Sequence, residues 1–224
     1  MLAAEGTKGN RATARFEPAL FDRLFAGCRV ERFAPGHYLF MQDDCADRLF
    51  GVVSGTIEIS ILSPEGQKLI ANIELPRSLV GEIGALDGGR RTASAMCMGA
   101  CEVVSIGRAQ LMERVGSHPE LARAMIELLC ARLRWVSGEF GDQAFLDIEA
   151  RLAKRLLLLS ARLADAEGWI HISQSELADF LGATRESVNK TLSEWRAAGL
   201  VELKRAALRI SRASALRKLA ETEM

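Results

Sequence analysis

The sequence predicts an α+β protein in three parts: a small antiparallel β-barrel or roll, a long helix, and a helix-turn-helix followed by a β-hairpin. Three observations carry this reading. Short apolar runs recur between residues 38 and 106, with turn signals about every ten residues, as small antiparallel barrels require. The apolar period then becomes helical and stays so from Pro119 to Phe140. Finally, two helical segments joined by a Gly turn precede two short alternating segments. The 224 residues suffice for one or two domains of roughly 100–200 residues each.

Residues Met1 to Arg15 are small, polar and aperiodic and read as a loose tail. Leu20, Phe21, Leu24 and Phe25 have helical spacing. Apolar runs follow at Tyr38–Phe40, Leu49–Val53, Ile57–Leu62, Leu69–Leu75, Ala93–Met98 and Val103–Ile106. Between them stand Pro35-Gly36, Asp43-Asp44, Ser54-Gly55, Pro64-Glu65-Gly66, Pro76 and Gly88-Gly89, all turn formers.

Pro119 suits the first turn of the long helix, with Ser117 or His118 near the cap. Ala122, Met125, Leu129, Leu133, Val136 and Phe140 form a seam with coiled-coil spacing. Leu121, Ile126, Leu128 and Trp135 would face the barrel while the seam meets a second copy; a helix packed only on its own barrel is the alternative. A further helix is expected from about Asp147 to Ala166, a short strand at Ile170–Ile172, and a domain boundary near Gly141 to Asp147.

Ser173 and Glu176 form a capping box ahead of Leu177, Ala178 and Leu181. Gly182 can end that helix in the left-handed region, and Thr184 can cap the next, which runs to about Ala198. Val188, Leu192 and Trp195 form its inward face, whereas Arg185, Glu186, Asn189 and Lys190 point away together. Arg185 can fork onto guanine O6/N7, Glu186 can accept from cytosine N4, and Lys190 can reach guanine or phosphate. Gly199–Leu203 and Leu208–Ile210 make a hairpin around the basic turn Lys204-Arg205, suited to the DNA backbone. An αα-hairpin with a solvated charged face is the competing reading.

Residues 80–95, V-G-E-I-G-A-L-D-G-G-R-R-T-A-S-A, form a loop able to hold an anion. Gly81 and Gly84 free the backbone, and Ile83 to Leu86 can make one helical turn. Arg91 can pair with a phosphate, Thr92 adds a hydroxyl, and Glu82 can accept from a ribose hydroxyl. A tight barrel turn with Arg90 and Arg91 both exposed is the alternative.

The stretch L-A-D-F-L-G-A-T-R-E-S-V-N-K-T-L resembles the winged helix-turn-helix of the cAMP receptor protein/FNR (Crp/Fnr) superfamily of bacterial transcription regulators. The 80–95 loop is similar to the phosphate-binding cassette of cyclic-nucleotide-binding domains. Barrel, long helix and wing fall in the family's order across nearly the whole chain. The resemblance implies a cyclic-nucleotide-binding-type β-roll, a long dimerisation helix and a C-terminal winged helix-turn-helix. The expected parts are a tail over 1–15, a sensor over 16–118, a dimerisation helix and hinge over 119–146, and a DNA-binding domain over 147–224.

By that resemblance Gly81, Glu82, Ile83, Gly84, Arg91 and Thr92, with Arg132 and Ser137 on the long helix, would bind cAMP or another cyclic nucleotide. Thr184, Arg185, Glu186, Ser187, Asn189, Lys190, Lys204 and Arg205 would meet double-stranded DNA. Arg185, Glu186 and Lys190 match the family's base-reading positions, and Asn189 departs from the residue usual at its slot. Val136-Ser137 stands where cAMP receptor proteins carry a Thr-Ser pair that meets adenine. Asp43 replaces a Gly usual in an early barrel turn. The implied partners are a palindromic DNA site, a second copy of the chain and RNA polymerase. A constitutive DNA-binding dimer whose barrel is a scaffold, or senses another signal, is the alternative.

Composition narrows the remaining classes. The chain has 29 basic and 29 acidic residues, which excludes a uniformly basic binder. From Ile148 onward 13 basic residues face 10 acidic ones, against 16 and 19 before it, so the C-terminal end is mildly positive. No apolar run approaches the roughly 18–20 residues that span a bilayer, and Met1–Asn10 lacks a signal-like apolar core. Five cysteines without CxxC spacing argue against a disulfide framework or zinc site and fit the cytoplasm. Cys97 and Cys101 read as buried thiols, and His37, His118 and His171 are isolated. No nucleophile–base pairing or nucleotide-hydrolysing motif occurs, so no enzyme is expected.

Overall fold

The computed structural model describes residues 16–221, so the expected tail lies outside them. The chain divides into two compact units at Val136/Ser137, with Lys68–Ile70 grouped in the second. In chain order the elements begin with α1 (Pro18–Leu24), β1 (Val30–Phe33), β2 (Tyr38–Phe40), β3 (Arg48–Ser54), β4 (Ile57–Leu62) and β5 (Lys68–Glu74). Then come β6 (Leu79–Val80), α2 (Glu82–Asp87), β7 (Ser94–Cys97), β8 (Cys101–Gly107) and α3 (Arg108–Ser117). Helix α4 (Pro119–Phe145) leads across the boundary.

Two four-stranded antiparallel sheets form the roll, ordered β1-β8-β3-β6 and β2-β7-β4-β5. Strand β3 pairs with β8 through Leu49↔Ile106 and Val52↔Val103, and β4 pairs with β7 through Ile57↔Cys97. Alternate residues of β3 enter different cores, which explains its unbroken apolar run. Phe50 and Val52 join Ile57, Val80, Ala95, Cys97 and Val103 in one cluster, while Leu49 joins Phe21, Leu24, Leu79, Ile106, Leu111, Leu121, Met125 and Leu128. Strands β1 and β6 and helix α3 were not expected. Two of them are too short or too polar to stand out, and β1 carries only Val30 and Phe33 as large apolar residues.

Helix α4 corrects the expected faces. Met125 is buried in its own unit, whereas Ile126, expected to face the barrel, is 60% exposed. The exposed row is therefore Ile126, Leu133, Val136 and Phe140, with half-buried Leu129 at the matching position between Ile126 and Leu133. The helix also continues through Gly138 and Gly141 to Phe145, past the expected end.

The second unit holds α5 (Ile148–Leu163), β9 (Trp169–Ile170), α6 (Gln174–Leu181), α7 (Arg185–Ala197), β10 (Val201–Lys204), β11 (Ala207–Ile210) and α8 (Ala213–Ala220). Asp147 caps α5, its Oδ1 accepting from the Ala150 N–H at 2.8 Å. The hairpin is joined by β9 into a three-stranded sheet, ordered β10-β11-β9. Leu152, Leu156, Leu177, Leu181, Val188, Leu192 and Trp195 are buried in this unit. Leu192 is fully enclosed, so Leu192→Ala should cost about 2–5 kcal/mol in denaturant unfolding. A change within about 0.5 kcal/mol would contradict this packed face.

Candidate functional site

The expected cassette folds as anticipated at its backbone. Gly81 precedes α2 with φ +80°, a left-handed conformation that disfavours any side chain. Its neighbours separate Arg90 from Arg91: Arg90 is exposed, but Arg91 is only 3% exposed. Arg91 Nη1 donates to the Gly81 carbonyl at 2.8 Å and Nη2 to the Arg48 carbonyl at 2.6 Å. Its guanidinium carbon lies 4.1 Å from the Phe40 ring centroid. Among the described residues its buried Nε finds no hydrogen-bond partner. Burial lowers the pKa of Arg91, only partly opposed by Asp47, Asp44 and Glu82. The result is a buried cation still short of negative charge.

A cavity of about 220 Å³ opens beside it. Gly81, Glu82, Ile83, Gly84, Arg91, Thr92 and Arg132 all line it, so the structure brings together seven of the eight expected residues. Its lining extends along α4 as far as Val136; Ser137 is exposed and does not line it. Phe40, Ile59, Ile61, Trp135 and Val136 supply apolar walls.

Glu82 is 2% exposed and forms an ion pair with Arg132. Arg132 Nη2 also reaches Glu74 Oε1 at 3.1 Å and donates to the Leu79 carbonyl at 2.6 Å. Burial opposes the Arg132 charge, but Glu82 and Glu74 outweigh it and raise the pKa. Glu74 and Asn72, both buried cavity residues, were missed from sequence. Their signal was two polar residues at alternate positions inside the apolar run of β5. Asp43 adopts φ +68°, accommodating the turn where a Gly was expected.

In the second unit the capping box forms as expected: Glu176 N–H donates to Ser173 Oγ at 3.1 Å and Ser173 N–H to Glu176 Oε2 at 2.7 Å. Gly182 takes φ +57° and ends α6. Thr184 caps α7, accepting from the Ser187 N–H at 3.2 Å, so these two residues hold the helix start. Arg185, Glu186, Asn189 and Lys190 are all exposed, opposite buried Val188 and Leu192. Arg185, Lys204 and Arg205 line one open cleft of about 450 Å³, with Gln174 and Ser175 from the start of α6. The last two were not anticipated. Lys204 Nζ lies 3.7 Å from the Trp169 ring centroid, a cation–π contact that places a wing cation. Trp195, beneath the exposed face of α7, donates from Nε1 to Glu149 Oε1 at 2.8 Å.

Cys97 and Cys101 are buried, and burial pushes the Cys97 thiol up to about 12, so it is no thiolate. Among the described residues no group of His, Cys, Asp or Glu could hold a metal ion, and no helix is long and apolar enough to cross a membrane.

A methyl at Gly81 would lie 2.3 Å from Arg91 Nη1 and require an unfavourable φ. Gly81→Ala should therefore destabilise the first unit by about 1–2 kcal/mol or more, since the left-handed conformation alone carries that cost. Thermal unfolding that matches the parent would show that this loop relaxes freely.

Comparison with known proteins agrees with this geometry. The cyclic nucleotide-binding domain family matches residues 30–118 and the Crp-like helix-turn-helix domain family residues 150–219. A CRP-like cAMP-activated global transcriptional regulator of Mycobacterium tuberculosis is 31% identical over 200 residues, covering 87% of this chain and 89% of that protein. The cAMP-activated global transcriptional regulator CRP of Salmonella typhimurium is 26% identical over 170 residues, covering 74% and 81%. In fold, the c-di-GMP responsive global regulator CLP of Xanthomonas campestris matches with a TM-score of 0.77 at 22% identity, covering 87% of this chain and 99% of that one. FixK2 from Bradyrhizobium japonicum matches with a TM-score of 0.76 at 21% identity, covering 88% and 99%. The chain belongs to the Crp/Fnr superfamily and is a DNA-binding transcription regulator, not an enzyme.

Proposed function

We propose that cAMP binds in the first unit and controls sequence-specific DNA binding by a homodimer. The observation that carries this is Arg91: a buried guanidinium with an unpartnered Nε, beside a cavity of about 220 Å³. The residues fit a cyclic nucleotide. Arg91 and Thr92 would hold the cyclic phosphate, and Glu82 would accept from the ribose hydroxyl. Gly81, Ile83 and Gly84 would let the backbone approach, and Arg132 would orient Glu82. Bound phosphate would supply the negative charge that Arg91 lacks. The CRP-like relatives named as cAMP-activated support this choice of nucleotide. Ser137, outside the cavity lining, keeps a role only if the helices of two copies bring it there.

The parts assigned are a sensor over 16–118, a dimerisation helix and hinge over 119–146, and a DNA-binding domain over 147–224. A second copy would cover Ile126, Leu133, Val136 and Phe140, whose spacing of 7, 3 and 4 suits a helix pair. Ligand would act through α4 by favouring one arrangement of the dimer, with its effect limited to its differential affinity for the two states. Two symmetric recognition helices about 34 Å apart would meet a palindromic site in successive major grooves. Arg185, Glu186 and Lys190 would read bases, with Asn189 beside them. Thr184, Ser187, Lys204 and Arg205 would position the backbone, with Gln174 and Ser175. RNA polymerase in the cytoplasm is the further partner expected of such a regulator.

Calorimetric titration tests the pocket: the parent should bind cAMP, and Arg91→Ala should lose at least about tenfold, the worth of one charge-assisted pair. Equal binding by both proteins would remove the cassette assignment. Site selection from random duplexes tests the other end. Arg185→Ala should cost about 1–3 kcal/mol per half-site and relax choice at one base pair. Lys204→Ala should weaken all sequences alike and flatten the salt dependence. An unchanged motif with Arg185→Ala would contradict base reading.

A further inference from the structure

The cavity has a polar corner that the cassette leaves unused. Asn72 and Glu74 on β5 line it, 7% and 2% exposed, facing the same way along the strand. Asn72 Nδ2 donates to Glu74 Oε1 at 2.9 Å, and Arg132 Nη2 donates to the same oxygen at 3.1 Å. Glu74 is thereby fixed from two sides. The remaining wall is apolar, and Val136 on α4 offers no hydrogen-bonding group. We propose that Glu74, oriented by Asn72, determines base specificity in this pocket by accepting a hydrogen bond from the exocyclic amino group of the purine.

This inference rests on the cyclic-nucleotide reading of the same cavity. With phosphate at Arg91 and ribose at Glu82, the base is the part left to fill the space between the apolar walls. A carboxylate only accepts, so it favours an edge that presents an N–H donor and gains nothing from a bare C–H. A buried carboxylate gives more discrimination than a water-exposed group, because a ligand lacking the donor leaves it desolvated without return. Glu74 also touches Arg132, so loss of Glu74 could weaken all ligands through Glu82. The test must therefore separate base recognition from this shared effect.

The probes are cAMP and purine riboside 3′,5′-cyclic monophosphate, which differ only by the amino group. Both are titrated calorimetrically into the full chain and into Glu74→Gln and Asn72→Ala. The parent should prefer cAMP by at least about tenfold, the size of a hydrogen bond to a charged group. Glu74→Gln should shrink that ratio to within about threefold, as expected when a neutral acceptor replaces a charged one. Asn72→Ala keeps the Glu74 charge and should reduce the ratio also, which covers the case in which Glu74→Gln fails to fold. Equal weakening of both ligands in the variants, or no preference in the parent, would overturn base reading while leaving the pocket assignment intact. No binding of either ligand by the parent would overturn both.

Discussion

The first unit depends on one guanidinium. Arg132 comes from α4, and its partners come from β5, α2 and the start of β6: Glu74, Glu82 and the Leu79 carbonyl. Two carboxylates buried to 2% exposure repel each other and lose their hydration, a cost of several kcal/mol per ion unless they are paired. One Arg between them offsets both and ties the long helix to the cassette. Breaking such a buried arrangement by removing one partner costs about 3–5 kcal/mol, because an uncompensated charge remains. The second buried cation, Arg91, has the opposite balance. Backbone carbonyls and an aromatic ring hold it in place, yet burial still lowers its pKa. One arginine is satisfied within the fold by two carboxylates; the other keeps a buried Nε without a hydrogen-bond partner among the described residues.

The second unit separates packed residues from exposed polar ones along a single helix. Val188, Leu192 and Trp195 secure α7, and the Trp195–Glu149 hydrogen bond ties it to α5. Thr184 and Ser187 fix the helix start, so the exposed groups of Arg185 and Glu186 project from a rigid first turn. The hairpin adds cations whose positions are set by Trp169, with Lys204 at 3.7 Å and Arg209 at 5.0 Å from its ring centroid. Arg209 is further paired with Glu202, which leaves Lys204 and Arg205 as the wing cations facing the cleft.

What was legible in the sequence follows from the range of the interactions involved. Caps and turns are local, so Ser173, Gly182 and Thr184 could be placed from a few neighbouring residues. Apolar runs marked β2, β3, β4, β5, β7 and β8, whose alternation or two-sided burial is written along the strand. Strand β6 has two residues and is defined only by its pairing with β3 through Phe50↔Val80 and Gly51↔Leu79, which no local pattern records. Helix α8 was missed for a related reason: among its residues only Leu216 is buried. The exchange of Met125 and Ile126 between core and surface arises because adjacent residues differ by only 100° around a helix. Which of them meets the core depends on α1 and the sheet, not on α4 itself. The cassette was legible as a motif, but its buried partners were not. Glu74 and Arg132 are 58 residues apart in sequence, and their contact exists only in the folded unit.

Under the proposed function, occupation of the first unit changes what the second unit does to DNA. The direct measurement is the affinity of the full chain for one palindromic duplex, chosen by site selection, with and without saturating cAMP at fixed salt. Saturating cAMP should tighten specific binding by about 5–150-fold, the range of ordinary allosteric coupling, while non-specific binding changes little. Equal affinity in the two conditions, with cAMP shown to be bound, would contradict it and leave the roll as a scaffold for constitutive DNA binding.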